Sequence, residues 1–294
     1  MTVDASRRSL LAATLGLAAT TGLGLRPAGA QGRQAPLQRL MALERRHGGR
    51  LGVAVYVADT GRRINHRGEQ RFPMCSTFKF LAAAQVLARV DRGEEDLERP
   101  IVFDDEVLVT YSPVTQSRTG PPGMTVAELC HAAVAVSDNT AANLLLATLG
   151  GPGGLTAFLR SLGDRHTRLD RIEPELNEAT PGDPRDTTTP AAMLADMRAL
   201  LLGDSLSPPS RTRLADWLAA STTGGRRLRA GFPPDWRAGD KTGTSGNGVF
   251  NDIAIAWPPG RGPRLVTAYY AGSSASAAQA DAVLAEVGRI VATL

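Results

Sequence analysis

Apolar positions near the C-terminus recur every three to four residues: Val283, Leu284, Val287, Ile290 and Val291 fall on one stripe, predicting a helix over Ala275 to Leu294. Leu37, Leu40, Met41 and Leu43 share that period between Pro36 and Arg46, and Gly48-Gly49 stops it. Leu51 to Ala58 and Arg62 to His66, around Asp59-Thr60-Gly61, predict a hairpin. An isolated hairpin is marginal in water, so this one needs partner strands. The candidates lie far along the chain, at Trp236 to Thr244, Asn251 to Trp257 and Arg264 to Ala271, the last two joined at Pro258-Pro259-Gly260. Both ends of the chain therefore build one sheet-and-helix unit.

The middle of the chain, Arg67 to Ala220, reads as helical almost throughout. Ser76 to Val90 is rich in Ala and Leu. Thr125 and Glu128 form a capping box ahead of Leu129 to Val136, and Thr140 to Leu149 ends at Gly150-Gly151. Thr189-Pro190 supplies an N-cap and a first-turn proline for a helix that stops at Gly203. Arg165 to Asp186 breaks the pattern: it has no sustained period, several prolines and clustered charges. A loop that long in a compact domain is usually functional or disordered.

The first 30 residues stand apart. Ser6-Arg7-Arg8-Ser9-Leu10-Leu11 opens an apolar run to Leu25 that ends in Ala28-Gly29-Ala30, which reads as a cleaved export signal of the twin-arginine type. The mature chain is expected from about Gln31, exported to the periplasm or secreted, with no membrane association after cleavage. Arg7, Arg8 and Arg26 against Asp4 hold half of the net charge of +4. With scattered arginines and only 5% aromatic residues, nothing marks a nucleic-acid surface. Cys75, Cys130 and four dispersed histidines lack metal-ligand spacing, so no metal or cofactor is expected. The chain also lacks the Gly-x-Ser-x-Gly elbow of many Ser-His-Asp hydrolases.

The basic residues change the picture. Of 33 Lys and Arg, only Lys79 and Lys241 are lysine. Arginine keeps its proton in a protein, whereas a buried lysine can release one. Each lysine sits beside hydroxyls, in Ser76-Thr77-Phe78-Lys79 and Lys241-Thr242-Gly243-Thr244. If Ser76 opens its helix, Lys79 lies one turn on and faces the same side, and the Ser76 N–H sits at the positive helix end, suited to an oxyanion. Ser137-Asp138-Asn139 places a hydroxyl and an amide on a turn that also caps the next helix. Gly243 leaves room for close approach to the backbone of a strand end. Asp240 before Lys241 argues against a phosphate loop. The three motifs together point to serine acyl transfer.

In this order and spacing they resemble the Ser-x-x-Lys, Ser-Asp-Asn and Lys-Thr-Gly motifs of class A β-lactamases and penicillin-binding proteins. Glu173-Pro174-Glu175-Leu176-Asn177 resembles the segment with which class A enzymes hold a hydrolytic water, and the resemblance runs from about Leu37 to the C-terminus. It implies an α+β fold, with an antiparallel five-stranded sheet flanked by helices in a discontinuous domain (31–67 and 218–294). An all-helical domain (68–217) completes it, with the active site at the interface, in a monomer. It further implies Ser76 as nucleophile, Lys79 as its proton partner, and Glu173 with Asn177 as the pair that positions and activates water, with either Lys79 or Glu173 taking the proton in acylation and Glu173 the base of deacylation. Ser137 would pass a proton to the lactam nitrogen, helped by Lys241. Asn139 would bind the acylamino side chain, with Tyr111 at the rim. Thr242 and Thr244 would hold the substrate carboxylate beside Gly243, and the N–H groups of Ser76 and Thr244 would form the oxyanion hole. Many relatives add an arginine at the place of Phe250; here Arg227 is expected to supply that charge, with Arg226 and Arg229 as neighbouring decoys. Arg171 and Asp186 match an ion pair that closes the loop. Cys75 and Cys130 match cysteines of two family disulfides whose partner positions here are Ser245 and Ala84, so two free thiols are expected. The implied activity is hydrolysis of penicillins or cephalosporins; the rivals are a peptidase or transpeptidase and a sensor that acylates once.

Overall fold

The structure, a computed structural model, describes residues 28–294, with side chains from residue 35 onward. Arg7, Arg8 and the apolar run of the expected export signal lie outside the described residues. Five strands form one antiparallel sheet: β1 (Arg50–Val57), β2 (Arg62–His66), β3 (Arg237–Ser245), β4 (Val249–Trp257) and β5 (Arg264–Ala271), in the order β2-β1-β5-β4-β3. The hairpin β1–β2 closes on itself with Val55 opposite Ile64, and β1 pairs its other edge with β5, eight positions in register from Arg50↔Ala271 to Val57↔Arg264. The first and last thirds of the chain thus meet in one sheet, leaving β2 and β3 as its edges.

Side-chain alternation assigns each strand residue to one of two cores. Val53, Val55, Ala254, Val266 and Ala268 face helix α1 (Ala28–His47) and helix α8 (Ala277–Ala292), against Leu40, Leu43, Val283, Leu284 and Val287. Ile253, Ile255, Leu265 and Tyr269 face the other way, into the helical part of the molecule. Because both faces are covered, the strands read as nearly continuous apolar runs. At the centre of the second core lies α2 (Phe78–Asp91), whose residues from Phe78 to Ala88 are all buried. A helix apolar on every side belongs in an interior.

Around α2 pack α3 (Val126–Ala135), α4 (Asn139–Thr148), α5 (Gly151–Ser161), α6 (Pro190–Leu201) and α7 (Pro208–Ala219). The capping box of Thr125 and Glu128 has both of its hydrogen bonds, and Thr189 caps α6 through Ala192 N–H. Two boundaries differ from expectation. Helix α1 runs through the described residues from Ala28, so Pro36 lies inside it and takes one N–H out of the ladder. Helix α2 begins at Phe78, because Cys75–Thr77 form a separate 3₁₀ turn that Cys75 enters with φ 46°. The segment 165–186 has no regular structure beyond the turn Glu175–Asn177.

Candidate active site

The 3₁₀ turn at Cys75–Thr77 fixes Ser76, and polar contacts on both sides hold it. Thr77 Oγ1 donates to Met74 O at 2.9 Å, and Asn251 Nδ2 on β4 donates to Pro73 O at 2.8 Å and Met74 O at 3.1 Å. Gly243 on β3 presses on the same turn: a Cβ there would stand 2.7 Å from Met74 O, a distance real Cβ atoms do not show. The open backbone expected at Gly243 is therefore taken up by the nucleophile turn, which packs β3 directly against Ser76's support.

Lys79 follows one turn later and is wholly buried. Its Nζ lies 2.8 Å from Ser137 O, 3.4 Å from Ser137 Oγ, 2.5 Å from Asn139 Oδ1 and 2.9 Å from Glu173 Oε1. Ser76 Oγ itself donates to Glu173 Oε1 at 3.1 Å, so the serine and the lysine share a carboxylate and meet through it. Burial pulls the Lys79 ammonium below the ordinary lysine range, and the Glu173 carboxylate pulls partly back.

Ser137 occupies the break between α3 and α4 with φ 64°. Asp138 explains the break: its buried carboxylate caps α4 through Ala141 N–H at 2.8 Å and accepts from Val114 N, Thr115 N and Thr115 Oγ1. Capping and site geometry are thus one arrangement, since four bonds to the middle residue orient Ser137 and Asn139 on either side. Asn139 Nδ2 donates to Thr110 O at 2.7 Å and its N–H to Tyr111 O at 3.0 Å, leaving the Tyr111 side chain 57% exposed at the rim.

Lys241 enters from β3, also wholly buried, with Nζ 2.9 Å from Ser137 Oγ and 2.8 Å from Thr242 O. Two lysines therefore converge on one hydroxyl. Burial, reinforced by the nearby Lys79 charge, lowers Lys241 to about 7. Segment 221–229 runs beside β3: Thr223 Oγ1 lies 2.7 Å from Thr242 Oγ1, and Arg227 Nη2 donates to Thr244 Oγ1 at 2.8 Å. Arg227 is buried and braced by Asp281 Oδ1 at 2.8 Å, Gly243 O at 3.0 Å and Asn251 O at 2.7 Å. Of the two decoys, Arg226 points outward and Arg229 pairs with Asp240 at 2.8 Å. Phe250 lies under the Arg227 guanidinium, 5.7 Å from ring centroid to carbon.

Glu173 is fully buried in the middle of a loop that has little backbone structure of its own. Asn143 on α4 grips its peptide from both sides, Nδ2 to Glu173 O at 2.8 Å and Oδ1 from Glu173 N at 2.9 Å. Asn177 Nδ2 donates to the Glu173 carboxylate, while Asn177 Oδ1 is buried with no hydrogen-bond partner among the described residues. Arg171 Nε meets Asp186 Oδ2 at 2.6 Å, closing the loop as expected, and Arg171 also bonds Glu178. Sequence reasoning missed the supporting roles of Asn143, Asn251 and Asp281. Asn143 lies four residues after the Ser137-Asp138-Asn139 motif, but the other two carry no signal in the chain itself. Cys75 and Cys130 are both buried and unpaired, as expected from the absent partner cysteines.

The model of the Beta-lactamase enzyme family matches residues 35–293. β-Lactamase AST-1 of Nocardia asteroides is 51% identical over 253 residues, covering 86% of this chain and 81% of the relative. A β-lactamase of Streptomyces albus G is 45% identical over 303 residues, covering 98% and 96%. Among solved structures, the ancestral (GNCA) class A β-lactamase superposes with a TM-score of 0.86 at 66% identity, covering 88% of this chain and 99% of that one. Sheet order, motif spacing and these likenesses agree: the chain belongs to the β-lactamase enzyme family, as a class A member.

Proposed function

We propose that the protein hydrolyses the ring amide of penicillins and cephalosporins through an ester on Ser76, which a Glu173-activated water then releases, conferring resistance to those drugs. The observation that carries the reading is the position of Glu173 Oε1, 3.1 Å from Ser76 Oγ and 2.9 Å from Lys79 Nζ.

In acylation Ser76 Oγ attacks the lactam carbonyl and its proton passes to Glu173, the carboxylate it already touches. The N–H groups of Ser76 and Thr244 receive the oxyanion, a contribution of about 3–4 kcal/mol for donors of this kind. The C–N bond breaks and the nitrogen takes a proton from Ser137 Oγ, which regains one from Glu173 through Lys79, whose Nζ reaches both, so that Glu173 is again a carboxylate; Lys241 faces the same hydroxyl. Asn139 and Tyr111 border the space for the acylamino group; Thr242, Thr244 and Arg227 receive the carboxylate beside Gly243. In deacylation a water held between Glu173 and the orphaned Asn177 Oδ1 loses its proton to Glu173 and attacks the ester; the ester C–O bond breaks and Ser76 Oγ takes that proton from Glu173.

A peptidase or a single-turnover sensor leaves the Glu173–Asn177 pair without a task. The chain is read as an exported monomer, periplasmic or secreted, with a discontinuous sheet domain (31–67, 218–294) and a helical domain (68–217). The test is mass spectrometry of Glu173→Ala mixed with a penicillin. A persistent adduct on Ser76, with deacylation slowed about a hundred- to ten-thousand-fold, is expected; turnover at the parent rate would refute the reading.

A further inference from the structure

Most guanidinium groups on this surface are matched by an acid or a carbonyl, but two that lie together are not. Arg63 on β2 and Arg198 on α6 both lie over the Tyr56 ring, at 5.8 Å and 5.0 Å from its centroid. Among the described residues neither guanidinium has a hydrogen bond or ion pair. They stand at a cavity of about 400 Å³ between the edge strand β2, strand β1 and helix α6. Ala54, Ile64, Leu194 and Leu202 supply an apolar wall. The cavity's one carboxylate, Glu69, accepts from Asn65 Nδ2 at 3.2 Å.

Each guanidinium lies within 5.8 Å of the same ring centroid, which offers a cation–π contact to both but a counter-charge to neither. An anion that reaches both supplies the missing counter-charge and gains charge-assisted hydrogen bonds from planar, forked donors suited to carboxylates and sulfonates. The volume is that of a small-molecule site, and the combination of an apolar wall with a few convergent polar groups is the usual composition of one. The catalytic cleft contributes no residue to it, so the argument stands apart from the acyl-enzyme chemistry.

We propose that this groove is a second ligand site, taking a small amphiphilic anion whose carboxylate or sulfonate head lies between Arg63 and Arg198 and whose aromatic or short alkyl body lies on Tyr56 and the apolar wall.

The probe is 8-anilinonaphthalene-1-sulfonate, titrated by fluorescence into the intact protein. Saturable binding is expected, without competition against a chromogenic cephalosporin. The double variant Arg63→Glu/Arg198→Glu should bind at least about tenfold more weakly, with hydrolysis within about twofold of the parent. Ala195→Trp, which fills the groove and spares both arginines, should weaken binding likewise. N-phenyl-1-naphthylamine, which lacks the sulfonate, should not distinguish parent from double variant. Unchanged sulfonate affinity in both variants, or competition with the cephalosporin, would overturn the proposal.

Discussion

Lys241 and Glu173 reach the cleft on two different kinds of backbone. Strand β3 is paired with β4 at nine successive positions, from Arg237↔Trp257 to Ser245↔Val249, so the ladder places Lys241 whatever its neighbours' side chains do. Segment 165–186 is placed mainly by side chains bonding to its peptides. Asp186 Oδ1 accepts from Asp170 N and Arg171 N, Asp164 accepts from His166 N and Thr167 N, Asn143 holds Glu173, and Ser245 Oγ donates to Asn177 O at 2.6 Å. A ladder spreads its support over many equivalent bonds, whereas the loop concentrates it in a few irreplaceable groups. Single substitutions should therefore act differently on the two sides.

The sharpest contrast comes from Lys79, which the regular helix α2 positions. Lys79→Arg keeps the charge but not the ability to relay a proton, and a loss of about a hundred- to ten-thousand-fold in kcat/KM is expected, with helix content by circular dichroism retained. On the loop side, Asp186→Ala removes a buried acceptor of two peptide N–H groups and the partner of Arg171. Denaturant unfolding should show a loss of about 3 kcal/mol, and acylation and deacylation should both slow, because each passes a proton to the displaced Glu173. If neither step slowed, the distinction between ladder and loop would fail.

The smallest effect concerns pH. Lys241 serves as a cation, so activity falls as pH rises through its pKa, near 7 because of burial and the adjacent Lys79. Asp240, next along β3 and itself pushed up to about 6 by burial, is ionised across that limb and favours the Lys241 proton. Asp240→Asn should accordingly move the alkaline limb of kcat/KM to lower pH, by up to about one unit. A profile measured between about pH 5 and 9 checks it.

The same contrast governs what could be read from the chain. Strands β2 and β5 fall at the expected residues, and the other three within about two residues, because a short apolar run bounded by turn residues is a local signal. Ser76, Lys79, Ser137 and Lys241 were legible because lysine is so rare and their motifs are compact. The α2 boundary was misplaced: the left-handed Cys75 and its 3₁₀ turn are enforced by Asn251 and Gly243, over 160 residues away, and no local propensity encodes that pressure. The same holds for Asp281, which reaches Arg227 from the C-terminal helix. Contacts between distant segments are invisible to spacing and periodicity alone.

Cys75 precedes the nucleophile, and both it and Cys130 are sealed inside the second core, with burial pushing each thiol well above its ordinary range. Neither can act as a thiolate at neutral pH, and neither bridges to anything, so the chain needs no oxidant to reach its final shape. Folding should proceed equally well in a reducing or an oxidising solution, and alkylating reagents should label these sulfurs only as fast as the core opens.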